Sequence, residues 1–323
     1  MDIINRLCRS VEPSIRYKTH ANILLTDPDS PKMLRLQQEV KSSERVQRLL
    51  SARGKDGTIP VHPYAKWYGA HWVLATLADI GYPAGDESLV PLREQVYAWL
   101  LSTKHKESTV RMSRGFDKLR PRIHASMEGN ALFYLLRLGL DDERTVELAD
   151  RLIGTQWPDG GWNCDRTRQP GAKKSSFHET LIPLRGLSLY AKVRKDSRAR
   201  TAATRASEVF LKRRLYRAKH DSSIISLDFI RLHYPCYWHY DLLSGLKVLA
   251  ESGFIRDERC DDALRLLGSK RLPDGGFPAE KKYYQVTKPR WSAWSPVDWG
   301  GISSRRTNEW VTVDALCALS SSP

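Results

Sequence analysis

The sequence predicts a single all-α domain, an incomplete (α/α)6 barrel of helical hairpins. Two observations predict it. A helix-plus-turn unit recurs along the chain, and amphipathic helices alternate with helices that are apolar nearly all round. A hydrophobic fraction of 41% with 28% charged residues supplies a core for such a domain.

The recurring unit is clearest in LADRLIGTQWPDGGW at 148–162 and ALRLLGSKRLPDGGF at 263–277. Each is a helix with apolar residues at helical spacing, stopped by Pro-Asp-Gly-Gly, a turn in which glycine accepts positive φ. A weaker copy, VQRLLSARGKDGTI, lies at 46–59.

Taken in order, PSIRYKTHANILL and a helix from about Lys32 to Val40 form an irregular opening unit within residues 1–45, and hairpin repeats fill 46–323. The expected outer helices are the amphipathic segments VPLREQVYAWLLS, DERTVELADRLIG, RTAATRASEVFLKRRL and DERCDDALRLLG. The expected inner helices are KWYGAHWVLATLADIG, HASMEGNALFYLLRLG, SSFHETLIPLRGLSLY, WHYDLLSGLKVLAESG and NEWVTVDALCALS. Short antiparallel connections let each hairpin bury its apolar side on its neighbours. A TPR or HEAT superhelix is the competing architecture, disfavoured by unequal repeat spacing and the Asp-Gly-Gly turns.

A formal charge of +15 attracts anions and leaves contact with an acidic membrane surface open. Nucleic acid is disfavoured, because the arginines are spread along outer helices without an accompanying binding motif. The opening MDIINRLCRS has no secretory apolar run, and no segment reaches the roughly 20 apolar residues of a membrane helix, so a cytoplasmic protein is expected. Cys8, Cys164, Cys236, Cys260 and Cys317 are scattered and odd in number, which argues for free thiols.

QWPDGGW resembles the QW repeat of squalene and oxidosqualene cyclases, and LPDGGF resembles a degenerate copy with Arg271 and Phe277 at the glutamine and tryptophan positions. The pattern covers roughly 45–320. The resemblance implies the α/α toroid that those cyclases share with protein prenyltransferases. In class II cyclases a DXDD motif supplies the acid; the nearest string here, Arg259-Cys260-Asp261-Asp262, opens an outer helix. Asp141-Asp142-Glu143-Arg144-Thr145 likewise departs from the DDXXD of class I enzymes. Both sets of acids read as charges favourable to a helix N-terminus.

Aligning the inner helices on their C-terminal ends places Glu128, Glu179, Asp241 and Glu309 at corresponding early positions, with His71 within one residue of the same place. His124 precedes Glu128 by one turn, so the two share a helix face and a proton if buried. His178 beside Glu179 and His239 near Asp241 pair only across a non-helical start, which Pro183 favours. These carboxylates and histidines are the candidate catalytic groups for acid or acid-base chemistry. Capping and dipole complementation are the alternative explanation of the acids.

Trp67, His71, Trp238, Tyr240, Asp298, Trp299 and Trp310 are the candidate substrate-binding residues. Their rings suit a cationic intermediate or simply fill the core, as Trp72 and Trp99 are expected to do. The long connection from Trp291 to Trp310, which includes Trp294, reads as a lid or pocket wall.

The favoured function is cyclisation, isomerisation or elimination on a largely apolar, isoprenoid-like substrate in the central cavity, without a cofactor. A non-catalytic toroid binding a small molecule or protein is the alternative. A further alternative is a zinc enzyme: prenyltransferases and lanthionine cyclases hold zinc with Cys, His and Asp, for which Cys164, Asp165 and His178 are the candidates here.

Overall fold

The computed structural model describes residues 2–167, 173–287 and 293–321. Among these residues the chain is all-α, with isolated bridges in place of strands. The opening helices are α1 (Ile3–Cys8), α2 (Pro13–Asn22), α3 (Pro31–Ser42) and α4 (Glu44–Leu50). Then come α5 (Ala70–Ile80), α6 (Val90–Leu100), α7 (Thr103–Ser113), α8 (Ala125–Arg137) and α9 (Arg144–Gly154). The chain closes with α10 (Phe177–Arg194), α11 (Ser197–Leu211), α12 (Leu242–Glu251), α13 (Asp261–Ser269) and α14 (Glu309–Ser320).

Local chemistry sets several boundaries. Ser30 and Ser43 cap α3 and α4 by accepting from Met33 N and Val46 N, and Asp196 caps α11 through Ala199 N. Asn308 caps α14, and Gly81 ends α5 in the left-handed region.

The inside-outside assignment follows the apolar pattern. In α5 nearly every residue is buried, from Ala70 to Ile80, whereas α9 buries only Thr145, Leu148, Ala149 and Leu152. Helix α2 packs on α5, α5 on α8, α8 on α10, α10 on α12 and α12 on α14, and α14 returns to α2. Outside this cycle, α3 lies on α2, α6 on α5, α9 on α8, α11 on α10 and α13 on α12. The α8–α10 contact is close because Gly129 meets the Pro183 backbone, where an added Cβ would come within 2.6 Å.

All three sequence repeats fold into the same turn. Trp157 N donates to Gly161 O at 2.8 Å, Leu272 N to Gly276 O at 2.9 Å, and Gly54 N to Thr58 O at 2.8 Å. In the best copy, Gln156 Nε2 reaches Gly160 O and also Ala202 O of α11, tying the end of one outer helix to the next.

The middle of the cycle is filled. His71, Trp72, Tyr134 and Trp67 are buried there, and Trp67 stacks on Tyr237 with centroids 3.9 Å apart. Below them lies a buried ionic cluster: Lys247 Nζ contacts Asp79 and Asp314 at 2.7 and 2.9 Å, and Lys18 contacts Asp314 at 2.6 Å. The central cavity that remains measures about 60 Å³.

Among the described residues no helix is long and apolar enough to cross a membrane, and all five cysteines are free. Trp291 lies outside the described residues.

Candidate functional site

Three segments converge at the N-terminal ends of α8 and α10. His124 is the N-cap residue of α8, Glu179 sits in the first turn of α10, and Cys164 follows the Pro-Asp-Gly-Gly turn. Their ligand atoms all lie within 4.8 Å of one another. His124 Nδ1 is 3.2 Å from Glu179 Oε1, and Ser126 N donates to Glu179 Oε2 at 2.9 Å.

The electrostatics follow from this contact. Burial opposes the Glu179 charge, but His124, the Ser126 amide and the Cys164 thiol outweigh it and hold the carboxyl below its ordinary value. The Glu179 hydrogen bond raises His124, whose side chain is 44% exposed. Burial, then the Glu179 charge, pushes the Cys164 thiol far up, so it is a neutral donor in the metal-free chain.

His124 opens onto a pocket of about 220 Å³ lined by Tyr64, Trp99, His105, Met112, Met127 and Glu128. Helix α7 borders it and buries none of its own residues. Lys66 stands nearby, its ammonium 5.0 to 5.9 Å from the ring centroids of Trp238, Trp67 and Tyr64.

The remaining expected acids do not converge on this point. Glu128 is buried and accepts from Arg151 Nη2 at 2.6 Å, with His105 Nε2 at 3.5 Å. The expected His124–Glu128 pair is therefore replaced by His124–Glu179, because His124 stands at the N-cap position, before the first helical residue, and its ring makes no capping bond to α8. Asp241 caps α12 through Ser244 and pairs with His233, at 2.9 Å, in place of His239. Glu309 accepts from Ser10 Oγ and lies with Asp298 and Trp310 on a separate surface pocket.

The other expected histidine pairings also change. Pro183 sits inside a continuous α10, so His178 and Glu179 diverge, and His178 faces Phe229 and Trp238. His239 precedes α12 and is stacked between Trp238 and Tyr283. Of the expected zinc ligands only Cys164 belongs to the cluster; Asp165 accepts from Thr167 N, and His178 is absent from it.

Several expected substrate contacts are core contacts. His71 is fully buried, with Nδ1 3.1 Å from Tyr134 OH, and Tyr240 donates to Leu215 O inside a cluster with Phe177 and Phe210. Trp67 donates to Tyr283 O. Trp299 and Trp310 pack edge to face beneath Arg45. Asp298 accepts from Tyr284 OH. Of this set, Trp67 and Trp238 stand beside Lys66.

Sequence reasoning missed Tyr64 and His105, which line the pocket, Arg151, which braces it through Glu128, and Lys66 nearby; no periodicity singles them out. Comparison with known proteins finds no matching family model, no matching curated protein and no matching solved structure.

Proposed function

We propose that the chain is a metal-dependent enzyme on an α/α toroid, with zinc held by His124, Cys164 and Glu179 and the substrate in the adjoining mouth pocket. The observation that carries this reading is the meeting of an imidazole nitrogen, a thiol sulfur and a carboxylate oxygen within 4.8 Å, from separate segments. That mixed donor set suits zinc, and three protein ligands are the number that leaves a position for water or substrate. Bound zinc would supply Lewis acidity and a water of lowered pKa.

The protein groups have definite tasks in this reading. Ser126 N orients Glu179 through its second oxygen. Cys164 gives up its thiol proton on metal binding, which makes affinity fall at low pH. Lys66 has no carboxylate within ion-pair distance among the described residues, and it offers a cation to an acidic substrate group. Tyr64, Trp99, Met112 and Met127 offer an apolar wall. The substrate is thus small, partly apolar and held at the mouth. A volume of about 60 Å³ in the central cavity favours this location over the ring interior.

A second reading keeps acid-base chemistry without a metal, with the 3.2 Å His124–Glu179 contact as the proton-transferring pair. Elemental analysis of the purified chain tests the two. About one zinc per chain, lost in the His124→Ala/Cys164→Ser double variant, supports the metal enzyme. A chain that takes up no zinc from a zinc-buffered solution excludes it and leaves the acid-base pair.

A further inference from the structure

The mouth beside the metal cluster is rich in donors and poor in acceptors. Lys66 is half-buried, and among the described residues no carboxylate stands within ion-pair distance of it. Its ammonium has rings around it instead, 5.0 Å from the centroid of Trp238, 5.7 Å from Trp67 and 5.9 Å from Tyr64. Ring faces stabilise a cation without neutralising it. Burial lowers Lys66 below its ordinary value, the direction expected of a cation that lacks a counter-charge.

More donors gather around Trp238. His239 stacks on it with centroids 4.0 Å apart, and His178 meets it at 6.0 Å. Trp238 Nε1 and His239 Nδ1 are enclosed without a hydrogen-bond partner, and the His178 side chain makes ring contacts to Phe229 and Trp238. An indole N–H can only donate. Helix α10 begins beside these rings, at Phe177, without a side-chain cap, and its 18 residues direct the positive end of their dipole to the same place. Glu179, in that first turn, is already held by His124 and Ser126 N.

We propose that the substrate of the mouth site is a small monocarboxylic acid, its carboxylate on Lys66 beside Trp238 and His178, its apolar body past Tyr64 in the pocket of about 220 Å³. That placement rests on the proposed enzyme site, and it does not need the metal to be bound. Tyr64 makes the link, since its ring neighbours Lys66 and also lines the pocket with His124, Trp99, Met112 and Met127. Burial holds His178 below its ordinary value and His239 at about 2. Of Lys66, His178 and His239, only Lys66 is therefore charged at neutral pH. One cation matches one carboxylate, where a phosphate dianion would keep an unanswered charge.

The test measures binding of 3-phenylpropanoate to the full chain by calorimetry, with 3-phenylpropanamide as its uncharged counterpart, first after chelator treatment and then with zinc. The acid is expected to bind at least about tenfold more tightly than the amide, as a charge-assisted contact gives. Acetate, which lacks the apolar body, is expected to bind at least about tenfold more weakly than 3-phenylpropanoate. Lys66→Met is expected to erase the preference for acid over amide. Lys192→Met, in the last turn of α10, is expected to leave it intact, and an equal loss there would show that net charge alone attracts the acid. That result overturns the proposal, as do equal binding of acid and amide to the unaltered chain, a preference that survives Lys66→Met, or tighter binding of phenyl phosphate. Acid preference in a chain that takes up no zinc leaves the carboxylate site standing and removes the metal. Zinc uptake without acid preference does the reverse.

Discussion

His124 and Glu179 lie 55 positions apart in sequence and 3.2 Å apart in space. The contact joins the cap of one inner helix to the first turn of the next, so it exists only once α8 and α10 have packed. Glu179→Gln keeps an acceptor for Ser126 N and removes the charge. Its zinc affinity is expected to fall at least about tenfold, with little loss of stability. Competition against a chromophoric chelator measures this, and unchanged affinity removes Glu179 from the ligand set.

Buried neutral histidines make the fold sensitive to mild acid. Burial lowers His71 to about 3 and His239 to about 2, both below the ordinary value near 6.5. The unfolded chain therefore takes up protons that the folded chain refuses. Stability is full above pH 6.5 and declines as pH falls below it, toward the folded values. From pH 7 to pH 5, His71 alone removes roughly 2 kcal/mol. Urea titrations at these two pH values check the slope, and His71→Asn is expected to make it shallower by about that amount.

The all-α class and its repeat turns were legible because their signals are local and repeated. Pro-Asp-Gly-Gly and the apolar spacing on either side need no distant partner to be read, and the three turns share one hydrogen-bond pattern. The site was legible only in part. Position along an inner helix identified Glu179, and Cys164 was a zinc candidate only by its place after the Pro-Asp-Gly-Gly turn, grouped with Asp165 and His178; neither reading gave which oxygen meets which nitrogen. His124 was assigned to Glu128 by helical spacing, whereas its place at the N-cap position turns it toward α10. His233 has no helical register to betray it, since it pairs with Asp241 across an irregular loop. Helix α7 carries no apolar face that packs inward, so its sequence gives no periodic signal.

The repeat turn has a steric test. Gly160 has φ +103°, and an added Cβ would lie 2.1 Å from Arg205 O, a backbone atom of α11 that cannot step aside alone. Gly154, at the end of α9, has nothing within 4 Å of the same added atom. Gly160→Ala is expected to cost more than about 2 kcal/mol. Gly154→Ala is expected to be neutral or to stabilise by up to about 1 kcal/mol. Denaturant midpoints of the two variants separate them, and equal midpoints would contradict the tight turn-to-α11 contact.

Glu128 is a brace of the pocket wall, not a ligand, and its partner shows why. Its buried carboxylate accepts from Arg151, which also donates to Leu100 O at 2.8 Å and so links α6, α8 and α9. Arg151→Leu leaves that carboxylate with only His105, at 3.5 Å. The loss is expected to be about 2 to 4 kcal/mol, because an unpaired buried charge costs more than the pair contributes. Adding Glu128→Gln removes the charge and is expected to recover about half of it. Zinc affinity is expected to change less than about threefold in both variants, since neither touches His124, Cys164 or Glu179. Parallel urea melts and zinc titrations distinguish the brace from a ligand: a large drop in affinity with the fold intact would return Glu128 to the site.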